Sequence, residues 1–164
     1  MRLQIKMVGD TEYLLKLSGL NDTVLTILLT KMKELGEFLV DYTQSEKLSG
    51  QVLNVVTGKL RDSIMSYVEQ YGAQIELTLG SGGVAYAAIQ ERGGQTPPRV
   101  ITANKARVLH FFWQGREIFT YQVKNWPGAK IPPHYYLRDT LSENREFIST
   151  VVADAINEAT GKRS

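Results

Sequence analysis

Apolar residues recur along this chain with two periods, and the places where one gives way to the other mark its elements. Near the start, Leu3, Ile5 and Met7 alternate with polar neighbours, the pattern of a half-buried strand over residues 2–8 that Gly9 and Asp10 end. Residues 13–17 fit either a strand or a short turn. From Asn21, a side chain suited to capping a helix, the period lengthens. Leu25, Leu28, Met32, Leu35, Leu39 and Tyr42 follow one another at intervals of three and four residues. They line one face of a helix of about five to six turns, with lysines and acids on the other face. The stripe resembles a coiled-coil seam but is short, so the expected partner is the protein's own sheet.

A surface connection is expected over residues 43–56, after which Thr57 is placed to cap a short helix over 58–64. In that helix Leu60 and Ile64 share a face. The period then falls to two. Ala73, Ile75, Leu77 and Leu79 alternate with Gln74, Glu76 and Thr78, which predicts one dry and one wet face. Residues 65–71 fold back on this strand through Tyr71-Gly72 as a hairpin. A glycine-rich break at 80–84 leads into an Ala-rich short helix over 85–92, stopped by Gly93 and Gly94. Gly93, Gly94, Pro97 and Pro98 predict a long exposed loop over 93–106.

A second hairpin follows. Leu109, Phe111 and Trp113 alternate on one side, Gln114-Gly115 turns, and Phe119, Tyr121 and Val123 alternate on the return. Pro127, Gly128, Pro132 and Pro133 predict another long loop over 124–136. The last helix carries Leu137, Leu141, Ile148, Val152, Ala155 and Ala159 on one stripe and ends at Gly161. This order predicts an α+β fold. A curved antiparallel sheet built from hairpins packs against two long helices, N-terminal and C-terminal, in a single domain spanning 1–164.

Composition narrows the picture. A chain of 164 residues with 43% hydrophobic and 22% charged content can support its own core. The absence of cysteine excludes disulfides, thiolate metal sites and cysteine nucleophiles, and fits a reducing compartment. A net charge of +2 is too small to imply nucleic-acid or membrane binding from bulk electrostatics. Residues 1–10 lack the apolar run of a signal peptide, and no stretch reaches the ~18 apolar residues of a membrane helix, so the cytoplasm is the expected address and no membrane partner is expected.

Candidate chemistry is sparse. His110 sits in an aromatic strand on the face opposite Leu109 and Phe111, His134 lies in the proline-rich loop, and neither has a second ligand at metal spacing. The carboxylates Glu34, Glu37, Asp62, Glu69, Glu76, Glu91, Asp139 and Glu143 are scattered, and none forms a recognisable acid–base pair. Ser49-Gly50 and Ser81-Gly82 do not match a nucleophile elbow, and Gly80, Gly82 and Gly83 lack the lysine of a phosphate loop. The expectation is a protein that is not an enzyme, with no catalytic residues, no metal and no cofactor. One charge feature stands out: Arg92, Arg99, Lys105 and Arg107 lie in or beside the 93–106 loop, with Glu91 the nearest acid. Such a loop can stay solvated, contact an acidic protein patch or grip phosphates.

At Val56-Thr57-Gly58-Lys59-Leu60-Arg61-Asp62-Ser63-Ile64 the chain resembles the virion-morphogenesis, or head–tail joining, proteins of tailed bacteriophages. Those proteins carry a Thr-Gly-(Arg/Lys)-Leu-Arg-x-Ser-Ile motif after a long first helix. They go on to a Tyr-Ala-x-x-x-Glu-x-Gly-Gly motif, matched here by Tyr86, Ala87, Glu91, Gly93 and Gly94. A Leu-x-Phe strand follows, matched by Leu109-His110-Phe111, and then a proline-rich lead into the last helix, matched by residues 127–137. All four stand in order over roughly residues 20–158. Without the family, Thr57 reads as a cap, Gly58 as relief of crowding, Leu60 and Ile64 as anchors, Lys59 and Arg61 as outward charges. Glu91 reads as a clamp on a tight turn through backbone N–H groups.

The resemblance implies a structural neck or tail-completion protein. It would assemble into a homo-oligomeric ring between head connector or adaptor proteins and the tail tube or tail terminator. Phage DNA would pass through without specific binding, and the protein would reside in the virion after assembly in the host cytoplasm. Three segments are the expected interface donors: the 93–106 loop, the hairpin tip around Gln114-Gly115, and residues 126–136 with Trp126, Tyr135 and Tyr136 as aromatic anchors. The alternatives are a small nucleic-acid-binding module using the basic loop, and a hydrolase in which folding brings Glu91 beside another acid and His110.

Overall fold

The computed structural model describes residues 2–6, 22–53, 57–71, 74–104 and 106–161. Met7, residues 13–17, the Asn21 cap, Gly72, Ala73 and Lys105 lie outside the described residues. The fold is α+β with antiparallel hairpins and a long helix towards each end.

Strand β1 (Arg2–Lys6) precedes helix α1 (Asp22–Tyr42), whose last turn widens into a π-helical turn over Thr43–Lys47. A single turn, α2 (Lys59–Asp62), leads into the hairpin β2 (Ile64–Tyr71) and β3 (Gln74–Ser81). The three strands form one antiparallel sheet in the order β1-β3-β2. The expected stripe of α1 is the one that packs: Leu28, Met32, Leu35 and Leu39 are all buried, against Ile75, Leu77 and Leu79 of β3. Helix and sheet meet closely at Gly36, where a β-carbon would lie 2.7 Å from Ser66 Oγ and 2.9 Å from Leu77 Cδ1. Sequence reading had no reason to single out Gly36, because its partners are about thirty to forty residues away in the chain.

Three local expectations are corrected by the structure. Thr57 is exposed and does not cap α2; the cap position is Gly58, in the left-handed region at φ 72°, and no side chain caps the turn. The helix is a single turn that ends at Asp62, so Ile64 is already the first residue of β2, where it is buried, while Leu60 packs at the edge of the same core. Thr78, expected on a wet face, is buried as well, because β3 is the central strand and has neighbours on both sides. Ser63 makes the corner between α2 and β2: its hydroxyl donates to the Leu60 carbonyl and pairs with Ser81 Oγ at 2.7 Å.

Helix α3 (Ala87–Arg92) opens the second half. The two segments expected as loops contain short strands: β4 (Gly94–Gln95), β5 (Arg99–Thr102), β8 (Gln122–Trp126) and β9 (Lys130–Ile131). Between them lie β6 (Leu109–Trp113) and β7 (Arg116–Thr120), joined at Gln114-Gly115. These six strands do not extend the first sheet. They pair as three separate antiparallel ladders, β4-β9, β5-β8 and β6-β7.

The chain closes with α4 (Tyr136–Glu143) and α5 (Arg145–Thr160). The expected single helix is thus broken at Asn144, whose side-chain amide donates back to the Thr140 carbonyl. Leu137 and Ala155 join the core formed by α1 and the sheet, and Gly161 in the left-handed conformation ends α5.

Candidate functional site

The motif segments around Glu91 and before Leu137 meet in space, and Glu91 is the joint between them. Its side chain is 1% exposed. One carboxylate oxygen accepts the backbone N–H of Leu137 at 2.8 Å and the other that of Arg138 at 3.1 Å. A carboxylate from α3 therefore caps the first turn of α4, whose own N-terminal residues supply no side-chain cap. Glu91 was expected to tie down the turn at Gly93-Gly94; it does bind backbone N–H groups, but those of a helix 46 residues on. The main chain doubles the link, because the N–H groups of His134 and Tyr135 donate to the carbonyls of Gln90 and Glu91, each at 3.0 Å. Gly93 lets the strands close, at φ 72° with a β-carbon position only 2.8 Å from Pro133 N, where no side chain fits.

Tyr136 was expected as an interface anchor, and the structure corrects this: it is fully buried. Its hydroxyl donates to the Ala87 carbonyl at 3.2 Å, and burial, with the Glu91 charge nearby, pushes its pKa well above the ordinary tyrosine value. An aromatic residue after two prolines looked like loop; it is in fact the first residue of α4 and part of the core. Tyr135 takes the left-handed conformation at φ 49° and stacks beneath the Arg138 guanidinium, 3.4 Å from its ring centre.

Behind this clamp a polar cluster ties α1 to α4. Lys47, buried in the π-helical turn, reaches both oxygens of Glu143 at 2.6 Å, and Tyr42 donates to Glu143 at 2.8 Å. The Lys47 hydrogen bond, then that of Tyr42, holds the Glu143 carboxyl below the usual glutamate value, and the same bond raises the Tyr42 phenol above its own. Thr43 and Thr140 meet hydroxyl to hydroxyl at 3.1 Å in the buried layer between them.

The β4–β9 segment is built differently. Among the described residues from Gly93 to Tyr135 none is buried. Its turn at Gln114-Gly115 has both central residues at positive φ, 50° and 76°, the geometry that suits a two-residue hairpin. That turn sets the register Phe111↔Ile118 and His110↔Phe119. Opposed residues share a face, so Phe119 stands with His110 and Phe112, not with Phe111. The return strand also breaks at Tyr121, where the chain leaves β7 and begins to pair with β5.

The ribbon thus has two apolar faces. On the inner one, Phe111 and Trp113 pack edge-on against Trp126 at 6.4 and 5.9 Å, bordering a groove of about 450 Å³ with Ile118 and Val123. On the outer one, His110 stacks flat on Phe119 at 4.5 Å and bonds Glu117 at 2.7 Å, while Phe112 and Phe119 remain 69% and 62% exposed. In the sequence Leu109-His110-Phe111-Phe112-Trp113 the adjacent Phe111 and Phe112 were the available signal that both faces would carry aromatic side chains.

This chain matches no protein-family model, no curated protein and no solved structure. Trp126 is half-buried and takes part in the inner face, whereas Gln114 is exposed at the hairpin tip. Arg92, Arg99 and Arg107 are exposed on three different elements or connections of the second half, and Lys105 lies outside the described residues. Thr57, Gly58, Leu60, Arg61, Ser63 and Ile64 surround α2, and Tyr86 stands exposed before α3. Glu91 and His110 do not come together: one is locked under α4 and the other sits on the outer ribbon face. Among the described residues no group of three His, Asp or Glu side chains is placed to hold a metal ion, and no helix is long and apolar enough to cross a membrane.

Proposed function

We propose that this chain is a structural, non-catalytic protein of the head–tail junction of a tailed bacteriophage, of the neck or tail-completion kind. In this reading it oligomerises into a ring and docks between the head connector and the tail, and DNA passes without specific binding. The observation that carries the reading is the second half of the chain. Val100, Val108, Phe112, Trp113, Phe119 and Tyr121 are all exposed within one two-ribbon arm, a density of surface apolar side chains that marks protein contact. The motif resemblance supplies the setting, and the interlocking of residues 87–93 with 131–138 gives those motif residues a reason: they fix the base of the arm.

The test is genetic and biochemical. In lysates of a phage lacking this chain, filled heads and complete tails are expected to accumulate unjoined, and purified protein added back is expected to join them. Joined, infectious particles in the absence of the chain would remove the reading. Salt-sensitive, stoichiometric DNA binding by the isolated protein would favour a nucleic-acid module built on Arg92, Arg99, Lys105 and Arg107 instead.

A further inference from the structure

Charge is shared unevenly along this chain. Residues 93–131 hold six of its nineteen lysines and arginines but only one of its seventeen carboxylates. That one, Glu117, is held by His110. The two long helices have the opposite bias, with seven carboxylates on α1 and α5 against three lysines and arginines.

Both regions also expose aromatic side chains. On the helices Phe38 and Phe147 touch at 4.6 Å between ring centres, with Tyr42 one turn further along α1, and the two phenylalanines stay 37% and 46% exposed. Helical spacing sets Glu34 and Asp41 a turn to either side of Phe38, and Asp154 two turns beyond Phe147; all three are exposed. Glu34 is paired with Lys31 at 3.3 Å, so Asp41 and Asp154 supply most of the negative charge at the rim of this aromatic patch. The outer face of the β6-β7 ribbon carries a second aromatic pair beside His110 and Glu117; Arg116 opposes Trp113 on the other face, and the arm around the ribbon, with Arg99 and Arg107 exposed, is otherwise cationic.

We propose that the outer face of the β6-β7 ribbon, carrying Phe112 and Phe119, docks on the Phe38–Phe147 patch of a second copy of this chain. Within one copy both surfaces are exposed, so neither satisfies the other. Because the two patches differ, each docking event leaves one free patch of each kind, and association propagates head to tail until it closes. The aromatic side chains supply the desolvated centre, and the opposed charges steer encounter and reject copies that meet arm to arm. The inference deepens the ring reading of the proposed function, since it names the two surfaces that meet, but it stands or falls separately.

The chain has no cysteine, which permits a direct test. Full-length Phe112→Cys and Phe147→Cys proteins, both changed at exposed positions, are oxidised separately and as a mixture. The mixture is expected to yield a disulfide-linked dimer at least about fivefold above either protein alone, and about threefold less of it when salt is raised enough to shorten the Debye length from about 10 to about 4 Å. Arg107→Glu is expected to lower the yield in the same way. Equal yields from the single proteins would mean a symmetric contact and overturn the inference, as would no mixed disulfide at all. Rings that still join heads to tails without the mixed disulfide would sink this pairing and leave the head–tail role standing. A mixed disulfide in a protein that joins nothing would do the reverse.

Discussion

The clamp around Glu91 and the arm it supports are separated by a few residues, yet they are built on opposite rules. In the clamp, Glu91, Tyr136, Leu137 and Thr140 are buried, and the Glu91 carboxylate and the Tyr136 and Thr140 hydroxyls each have a named partner. In the arm, aromatic residues face solvent on a two-stranded ribbon that belongs to no larger sheet. An isolated hairpin is marginal in water, so the arm depends on its inner Trp126 packing and on the clamp for its position. The contrast teaches where stability and assembly reside. Substitutions in the clamp are expected to cost folding energy, and those on the outer arm face to cost association.

The largest effect is expected from Glu91→Ala. It leaves two helix-terminal N–H groups without their acceptor and a void beside Leu137, about 3 kcal/mol in all. For a chain of this size that lowers Tm by roughly 6–12 °C in a thermal melt. Glu91→Gln keeps the shape and loses the charge, and is expected to cost about half as much. A melt unchanged by Glu91→Ala would mean that the clamp does not hold the fold together. Next comes Gly36→Ala. Helix propensity alone favours alanine by about 1 kcal/mol, but the new methyl group would overlap Ser66 and Leu77. The net result is expected to be a loss of about 1–2 kcal/mol, read as a lower urea midpoint. A gain in stability would show that the helix and sheet are free to separate there.

Tyr136→Phe removes only the hydroxyl that serves the Ala87 carbonyl. The expected loss is about 1–2 kcal/mol, and binding of the second copy should be unchanged. Smaller again is the contribution of Glu143. Its folded pKa lies below the ordinary glutamate value because Lys47 and Tyr42 donate to it. Stability from this group is therefore complete above the ordinary carboxylate range and is lost as pH falls through the lower folded value. The stability difference between the native chain and Glu143→Gln is expected to stay level from about pH 7 to about pH 5 and to shrink below about pH 4. A difference that grew on acidification would contradict the assignment. The smallest stability change belongs to the arm: Phe112→Ser with Phe119→Ser should shift stability by no more than about 0.5 kcal/mol, while association of copies is lost.

Legibility in the sequence followed the range of the interaction. The α1 stripe and the β2-β3 hairpin were readable because Leu28 to Leu39 and Ile75 to Leu79 express local periods. The α+β class followed from them. Glu91 was marked as a backbone clamp from its neighbours, but its true donors, the N–H groups of Leu137 and Arg138, are set by tertiary contact and have no local signature. Which face of the ribbon Phe119 joins was not legible, because register comes from turn geometry, and one residue of offset exchanges the faces. Tyr136 was read as loop because two prolines precede it, yet prolines also lead into a helix start. The aromatic content of β6 was visible in its sequence, but that Phe112 and Phe119 meet on its second face depends on the hairpin register.

The most direct test of the division between clamp and arm is cryo-electron microscopy of the assembled particle. The expected result is density for this chain between head connector and tail, with the outer face of β6-β7 seated on the α1–α5 surface of the adjacent copy. Density in which that face of every copy lies in solvent, in a particle whose head and tail are nonetheless joined, would contradict the account.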